Sequence, residues 1–231
     1  MRNTIAVFKN QVQEFKADKE QLIIFILFPA MAFFQTRMVE LDDGVYPYQI
    51  VTAVAGMFVS SIVIMVLPQI IAEHRENGSL RFMVMSGIKP TSYLLGTGGF
   101  FLVICMAVAL FMAWLGEFTG PVLVNFLLVM LVGLICSTLL AAIIGIVSKN
   151  RQKAMGVAMP LGFMIAFLPM LAEMLEPLQS ILDLLFVERI NHMMIAIHTG
   201  DFLADLYVVL GNIAVLTALF AVLFKWKGLK A

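Results

Sequence analysis

The chain has 231 residues, of which 61% are hydrophobic and only 13% are charged. A water-soluble domain is usually about half apolar and about a quarter charged, so this excess fits lipid rather than water as the solvent. The net charge is zero, and no basic-aromatic face is present that would select nucleic acid.

Residues 1–20 carry several charges and lack a short apolar run with a small-residue cleavage site, so no cleaved signal peptide is expected. Ile5, Phe8, Val12 and Phe15 recur at helical spacing, with Lys9, Gln13, Lys16 and Lys19 mainly elsewhere. An amphipathic helix over 1–20 is expected, lying in the membrane interface and anchoring the first span. A soluble docking helix is the alternative.

A membrane-crossing helix needs about 20 mostly apolar residues. Such runs predict spans over approximately 22–37, 50–72, 94–115, 121–147, 154–172 and 206–224, the first being short. Residues 173–205 are apolar in part but interrupted by acids and Pro177, and they read as helices at the outer face between spans five and six, lying on the surface or dipping into the membrane, rather than as a seventh span. The expected fold is an all-α polytopic membrane protein occupying residues 1–231 as one domain.

Of the 15 basic residues, all but Arg37 and Arg189 fall in 1–21, 73–93, 148–153 and 225–231. Acids dominate the alternate set: Glu40, Asp42, Asp43, Glu117, Glu173, Glu176, Asp183, Glu188, Asp201 and Asp205. The positive-inside bias then places both termini in the cytoplasm. Trp114, Trp226, Tyr46, Tyr48, Tyr93 and Tyr207 lie near span ends, where amphipathic rings prefer to sit.

No Asp, Glu, Lys, Arg or His falls within the span cores so drawn, which argues against a proton-coupled carrier or ion pump. The mild polar residues Thr52, Ser60, Ser61, Asn125, Ser137 and Thr138 are expected to bond between helices, or else to line a path for an amphiphilic substrate. Gln69, Asn212 and Thr217 are similar. Gly56/Ser60, Ala141/Gly145 and Ala154/Ala158 permit close helix approach. Cys105 and Cys136 read as buried inert thiols.

The loop between spans two and three is the informative one. Asn77, Gly78 and Ser79 are capping and turn types, residues 80–86 form a short helical stretch, and Gly87 and Pro90 end it. Leu80, Phe82, Met83, Val84 and Met85 cannot all face one side of two turns. Some must meet lipid or another protein, and a methionine-rich helix suits a partner's groove.

The stretch Glu73-x-x-Glu76-x-Gly78-Ser79-Leu80, followed by Met85-Ser86-Gly87-Ile88-Lys89-Pro90 and Tyr93-Leu94-Leu95-Gly96, resembles the ABC-2 type permeases, the membrane subunits of type V ABC exporters. The likeness extends over the whole chain. It departs at Arg81, where many members carry an acid, and at Gly87-Ile88-Lys89-Pro90, a variant of a commoner Ser-Pro. The resemblance implies a coupling helix that docks an ATPase through Glu73, Glu76, Gly78, Ser79, Leu80, Arg81, Phe82, Met83, Met85 and Lys89. It also implies two ABC ATPase subunits, a second permease copy or paralogue, a cell membrane (bacterial plasma membrane) location, and export of a peptide, drug or lipid by alternating access. None of the 16 glycines precedes a lysine, so a P-loop is absent and ATP with Mg2+ is expected on the partner, with no cofactor on this chain.

Other chemistry is thin. His192 lies four residues after Glu188, and His198, Asp201 and Asp205 follow, which reads as a solvated cluster or an external metal or proton-sensing site. The minimum residues of serine-elbow or zinc-protease motifs are missing. A non-transporting scaffold or assembly factor, and an intramembrane enzyme, are the competing classes.

Overall fold

The computed structural model describes residues 2–17, 19–37, 46–79, 82, 85–87, 90–172 and 182–227. The helices are α1 (Arg2–Ala17), α2 (Lys19–Arg37), α3 (Pro47–Glu76), α4 (Pro90–Leu115), α5 (Gly120–Val147), α6 (Arg151–Ala166), α7 (Leu168–Ala172), α8 (Phe186–Ile195) and α9 (Leu203–Lys227), with a 3-10 turn at Ala196–His198. Four among the described residues are long and apolar enough to cross a membrane: Pro47–Glu76, Ser92–Leu115, Gly120–Val147 and Leu203–Trp226; Ile23–Arg37 is a shorter apolar helix.

α3 is the hub, packed against α5, α6, α2, α4 and α8. Its most apolar window is 83% buried, whereas that of α9 is 11% buried. Small residues set these close crossings. A Cβ on Gly145 would lie 2.7 Å from Ile71 Cβ, and one on Gly162 would lie 2.6 Å from Met65 Cγ. Without a hydrophobic driving force between helices in lipid, such backbone approach is what gains dispersion energy.

The expected span over 154–172 is two helices. α6 ends at Ala166, Phe167 takes φ −96 and ψ 0, and α7 restarts at Leu168. Pro169 explains the break, since it has no N–H to donate back and its ring crowds the preceding turn.

α1 seats on α4, and the expected stripe packs inward at Phe8, Val12 and Phe15 but not at Ile5. Val7, Gln11 and Phe15 are buried, while Ile5 is 56% exposed. Gly96 causes the rotation: a Cβ there would lie 2.6 Å from Val7 Cβ. Phe15 then meets Phe25, Phe100 and Phe101 with ring centroids 5.8, 5.3 and 6.2 Å apart, edge to face.

α4 ends in a Schellman motif, with Phe118 N–H donating to Ala113 O (3.0 Å) and Glu117 N–H to Trp114 O (3.2 Å). The left-handed position belongs to Glu117 (φ 58), where glycine is usual. Gly116 precedes it because any Cβ there would come within 2.9 Å of the Phe118 ring. Holding a glutamate left-handed costs about 1 kcal/mol. Its ion pair with Arg37 at 3.5 Å joins two well-exposed side chains, worth about 0.5 kcal/mol at most.

α8 does not lie flat at the end of the bundle. Gly133, near the middle of α5, faces Ile190 and Val59, each 3.1 Å from a Cβ built on it. Val59 is itself near the middle of α3, so α8 dips deep between the long helices. Cys105 and Cys136 are buried and free, as expected.

Candidate functional site

The candidate site is the basic end of the bundle, where α3 stops. Asn77 N–H donates to Glu73 O (2.9 Å) and Gly78 N–H to Arg75 O (3.2 Å), and Gly78 turns the chain at φ 70. Phe82 N–H then donates to Gly78 O (3.0 Å) and Ser86 N–H to Phe82 O (2.9 Å), which is helical bonding. Gly87 at φ 79 closes it. Two left-handed glycines bracket the segment, a conformation that costs other residues but not glycine. Phe82 and Met85 are 73% and 78% exposed. Leu80, Arg81, Met83 and Lys89 lie outside the described residues.

Glu73 and Glu76 point within the molecule. Glu73 Oε2 is 3.0 Å from Arg151 Nη1, and Glu76 Oε2 accepts from Arg151 N–H at 3.1 Å, at the start of α6. A carboxylate suits a helix N-terminus, whose first N–H groups lack partners. Arg75 Nη1 donates to Ile146 O (2.7 Å) and Ser148 O (3.2 Å), capping the end of α5. Asn150 Oδ1 accepts from Lys153 N–H (2.9 Å). The end of α3 is thus tied to both sides of the loop at residues 148–150.

A second tie runs the other way. His74 is buried, its Nδ1 3.0 Å from Tyr93 Oη on α4 and its Nε2 3.1 Å from Glu14 Oε2 on α1. With the tyrosine hydroxyl donating to Nδ1, the Nε2–H donates to the carboxylate. That hydrogen bond holds the Glu14 carboxyl below its ordinary range; burial pushes back, and the Asn10 amide adds to the lowering. Tyr93 and Gly96 of the Tyr-Leu-Leu-Gly run thereby acquire physical roles, one bonding His74 and one admitting Val7. Beside this tie, a cavity of about 450 Å³ opens between α1 (Ala6, Asn10, Gln11) and Gly78, Ser79 and Phe82.

The six polar residues read as interhelical bonds or a path divide. Ser137 Oγ donates to Val59 O (2.7 Å) and Asn125 Nδ2 to Ile197 O (3.1 Å), both between elements. Thr52, Ser61 and Thr138 donate back to Gln49, Met57 and Leu134 of their own helices. Ser60 donates to Gly56 O (2.8 Å), and it lines a cavity of about 220 Å³ with Gly56, Pro169, Met170 and Asn191.

His192 and Glu188 meet at 3.3 Å, with Asp205 4.0 Å from His192 Nδ1 and Arg189 Nη1 2.9 Å from Asp205. Asp205 stands in the first turn of α9, so the cluster joins α8 to the start of that helix. His198 belongs elsewhere, its ring 4.5 Å from Tyr48. Among the described residues no group of three or more His, Cys, Asp or Glu is arranged to hold a metal.

Sequence reasoning missed Glu14, His74 and Arg75. Their partners lie 60, 19 and 71 residues away, so no local spacing announces them.

No curated protein matches the chain. Residues 6–225 match a family model described as ABC-2 family transporter protein. A match over nearly the whole chain, on an all-helical bundle with apolar helices of membrane length, shows that the chain belongs to the ABC-2 transporter family and is a membrane permease component of an ABC transporter.

Proposed function

We propose that this permease is the membrane subunit of an exporter powered by a separate ATPase, and that residues 78–87 form the coupling segment on which that ATPase docks. The observation that carries the reading is the pair Phe82 and Met85, apolar and exposed between two left-handed glycines at the basic end. An apolar side chain left this open is stabilised by a partner's groove, and both residue types suit that use.

The ties around the segment support transmission. Motion of the segment pulls on the end of α3, which is joined to α5 and α6 through Arg75, Glu73 and Glu76 and to α1 and α4 through His74. On this reading the basic end is cytoplasmic, six crossings bring both termini inside, and α6–α7 together form the fifth. Two ATPase subunits, carrying ATP and Mg2+, and a second permease copy or paralogue complete the transporter in a bacterial plasma membrane. The cargo is an amphiphile (a peptide, drug or lipid), and the cavity between Ser60 and Asn191 lies on its path.

The test is copurification. Phe82→Asp and Met85→Asp should each abolish recovery of ATPase activity with the membrane-inserted permease, without lowering its thermal midpoint, because neither side chain is buried. Full recovery of the complex with both substitutions present would sink the docking assignment.

A further inference from the structure

At the end of the bundle opposite the proposed coupling segment, a cavity of about 390 Å³ is walled by Tyr46, Tyr48, Phe118 and His198, with Glu117 its one carboxylate among the described residues. The Tyr46 and Tyr48 rings are stacked, 5.7 Å apart and 14° from parallel. Tyr48 meets His198 edge-on at 4.5 Å, and Phe118 lies 6.4 Å from the same imidazole. Rings of this kind are at home at a membrane–water boundary, but four of them around one opening with a carboxylate is a chemical set. π faces attract a cation whose charge is spread over alkyl groups, and the carboxylate supplies the counter-charge.

Glu117 gives a second reason to read this as a site. The left-handed conformation serves the Schellman cap at the end of α4, which glycine would close at least cost. The cap therefore accounts for the conformation but not for the choice of glutamate, whose carboxylate stands at the opening. Arg37 itself lies 5.9 Å from the Trp114 ring centroid, so a cation over an aromatic face is already formed at the rim. Among the described residues neither Lys nor Arg lines the cavity; Arg37 stands outside it, paired with Glu117 at 3.5 Å, and an ammonium ligand would compete with it for the carboxylate.

We infer that the pocket formed by Tyr46, Tyr48, Phe118, His198 and Glu117 binds an alkylated ammonium group. Two sources share that chemistry, a choline-type lipid headgroup and a free quaternary amine. The site does not depend on where the ATPase docks, so either inference can fail alone.

The test uses the full chain in maltoside micelles and choline chloride as probe, read by saturation transfer to the choline methyl protons. Wild type should give a saturable signal that equal ionic strength of sodium chloride does not remove. Glu117→Gln and Tyr48→Leu should weaken binding by about five-fold or more. Glu117→Gly should weaken it equally while raising the thermal midpoint, which separates loss of the ligand contact from loss of fold. Added phosphatidylcholine that displaces choline, where phosphatidylglycerol does not, assigns the site to a lipid headgroup; choline that stays bound in both assigns it to a soluble ammonium. A signal abolished by sodium chloride, or unchanged in Glu117→Gln and Tyr48→Leu, overturns the inference.

Discussion

His74 Nε2 lies 3.1 Å from Glu14 Oε2, and this contact joins the N-terminal helix to the last turn of the central helix, just before the Gly78 turn. Through Tyr93 it also reaches α4, so α1, α3 and α4 are joined at this end of the bundle.

The contact has a defined pH range. The Glu14 carboxyl is lowered from its ordinary 4.5, first by the His74 hydrogen bond. A carboxyl depressed in the folded state contributes stability above its unfolded pKa and loses it as pH falls through the folded one. The side chain is 42% exposed, so solvent screening limits the gain to about 0.5 kcal/mol. Thermal midpoints of wild type and Glu14→Gln should therefore differ slightly near neutrality and converge as pH falls below 4.5. A difference that persisted or grew at lower pH would exclude this contact as the cause.

Gly96→Ala should destabilise the protein by about 1–3 kcal/mol, because the new methyl would meet Val7 Cβ at 2.6 Å and Thr4 O at 3.1 Å. Gly99→Ala, one turn on, meets nothing within 4 Å and should be neutral or gain up to about 1 kcal/mol from helix propensity. Thermal unfolding of the two variants reads the contrast, and protease cleavage within α1 should rise only in Gly96→Ala.

Gly78 tests conformation without sterics. A Cβ there would touch nothing within 4 Å, yet φ is 70. Gly78→Val should uncouple ATP hydrolysis from transport and cost about 1–2 kcal/mol. Gly78→Asn should restore most coupling, because asparagine tolerates the left-handed region. Equal defects in both would mean the turn is not what matters.

Arg75→Ala should cost more than Glu73→Gln. The arginine donates to two carbonyls at the end of α5 from a part-buried position, and its loss leaves those acceptors unmet, at about 1.5–3 kcal/mol. The Glu73–Arg151 pair is about 40% exposed on both sides, worth about 1 kcal/mol or less. Denaturation midpoints of the two variants decide the order.

Gly56→Leu should block transport while leaving ATPase recovery intact. Gly56 has open space around its Cα and shares the cavity of about 220 Å³ with Ser60 and Asn191. Transport by Gly56→Leu at the wild-type rate would remove this cavity from the path.

Much of the fold was legible because lipid imposes length and apolarity on each helix separately. The apolar runs at 50–72, 94–115, 121–147 and 206–224 each fall within a long helix, and the turn chemistry of Gly78 and Gly87 was readable from residue type. The rotation of α1 was not, because Ile5 and Val7 are equally apolar and only the absent side chain at Gly96 chooses between them. The sequence left α8 either at the outer surface or dipping into the membrane, and the contact of Ile190 with the Gly133 position decides for the second.

Hydrophobicity, charge placement and turn-forming residues are local quantities, so the sequence by itself determined a helical membrane protein with an apolar segment between two turn-forming glycines, and its motif resemblance pointed to a permease. Which side chains meet across long separations is set by helix packing. The tertiary structure alone therefore decided that Glu14, His74 and Tyr93 form one chain of bonds. It also turned Glu73 and Glu76 toward α6 and gathered Tyr46, Tyr48, Phe118 and His198 around Glu117.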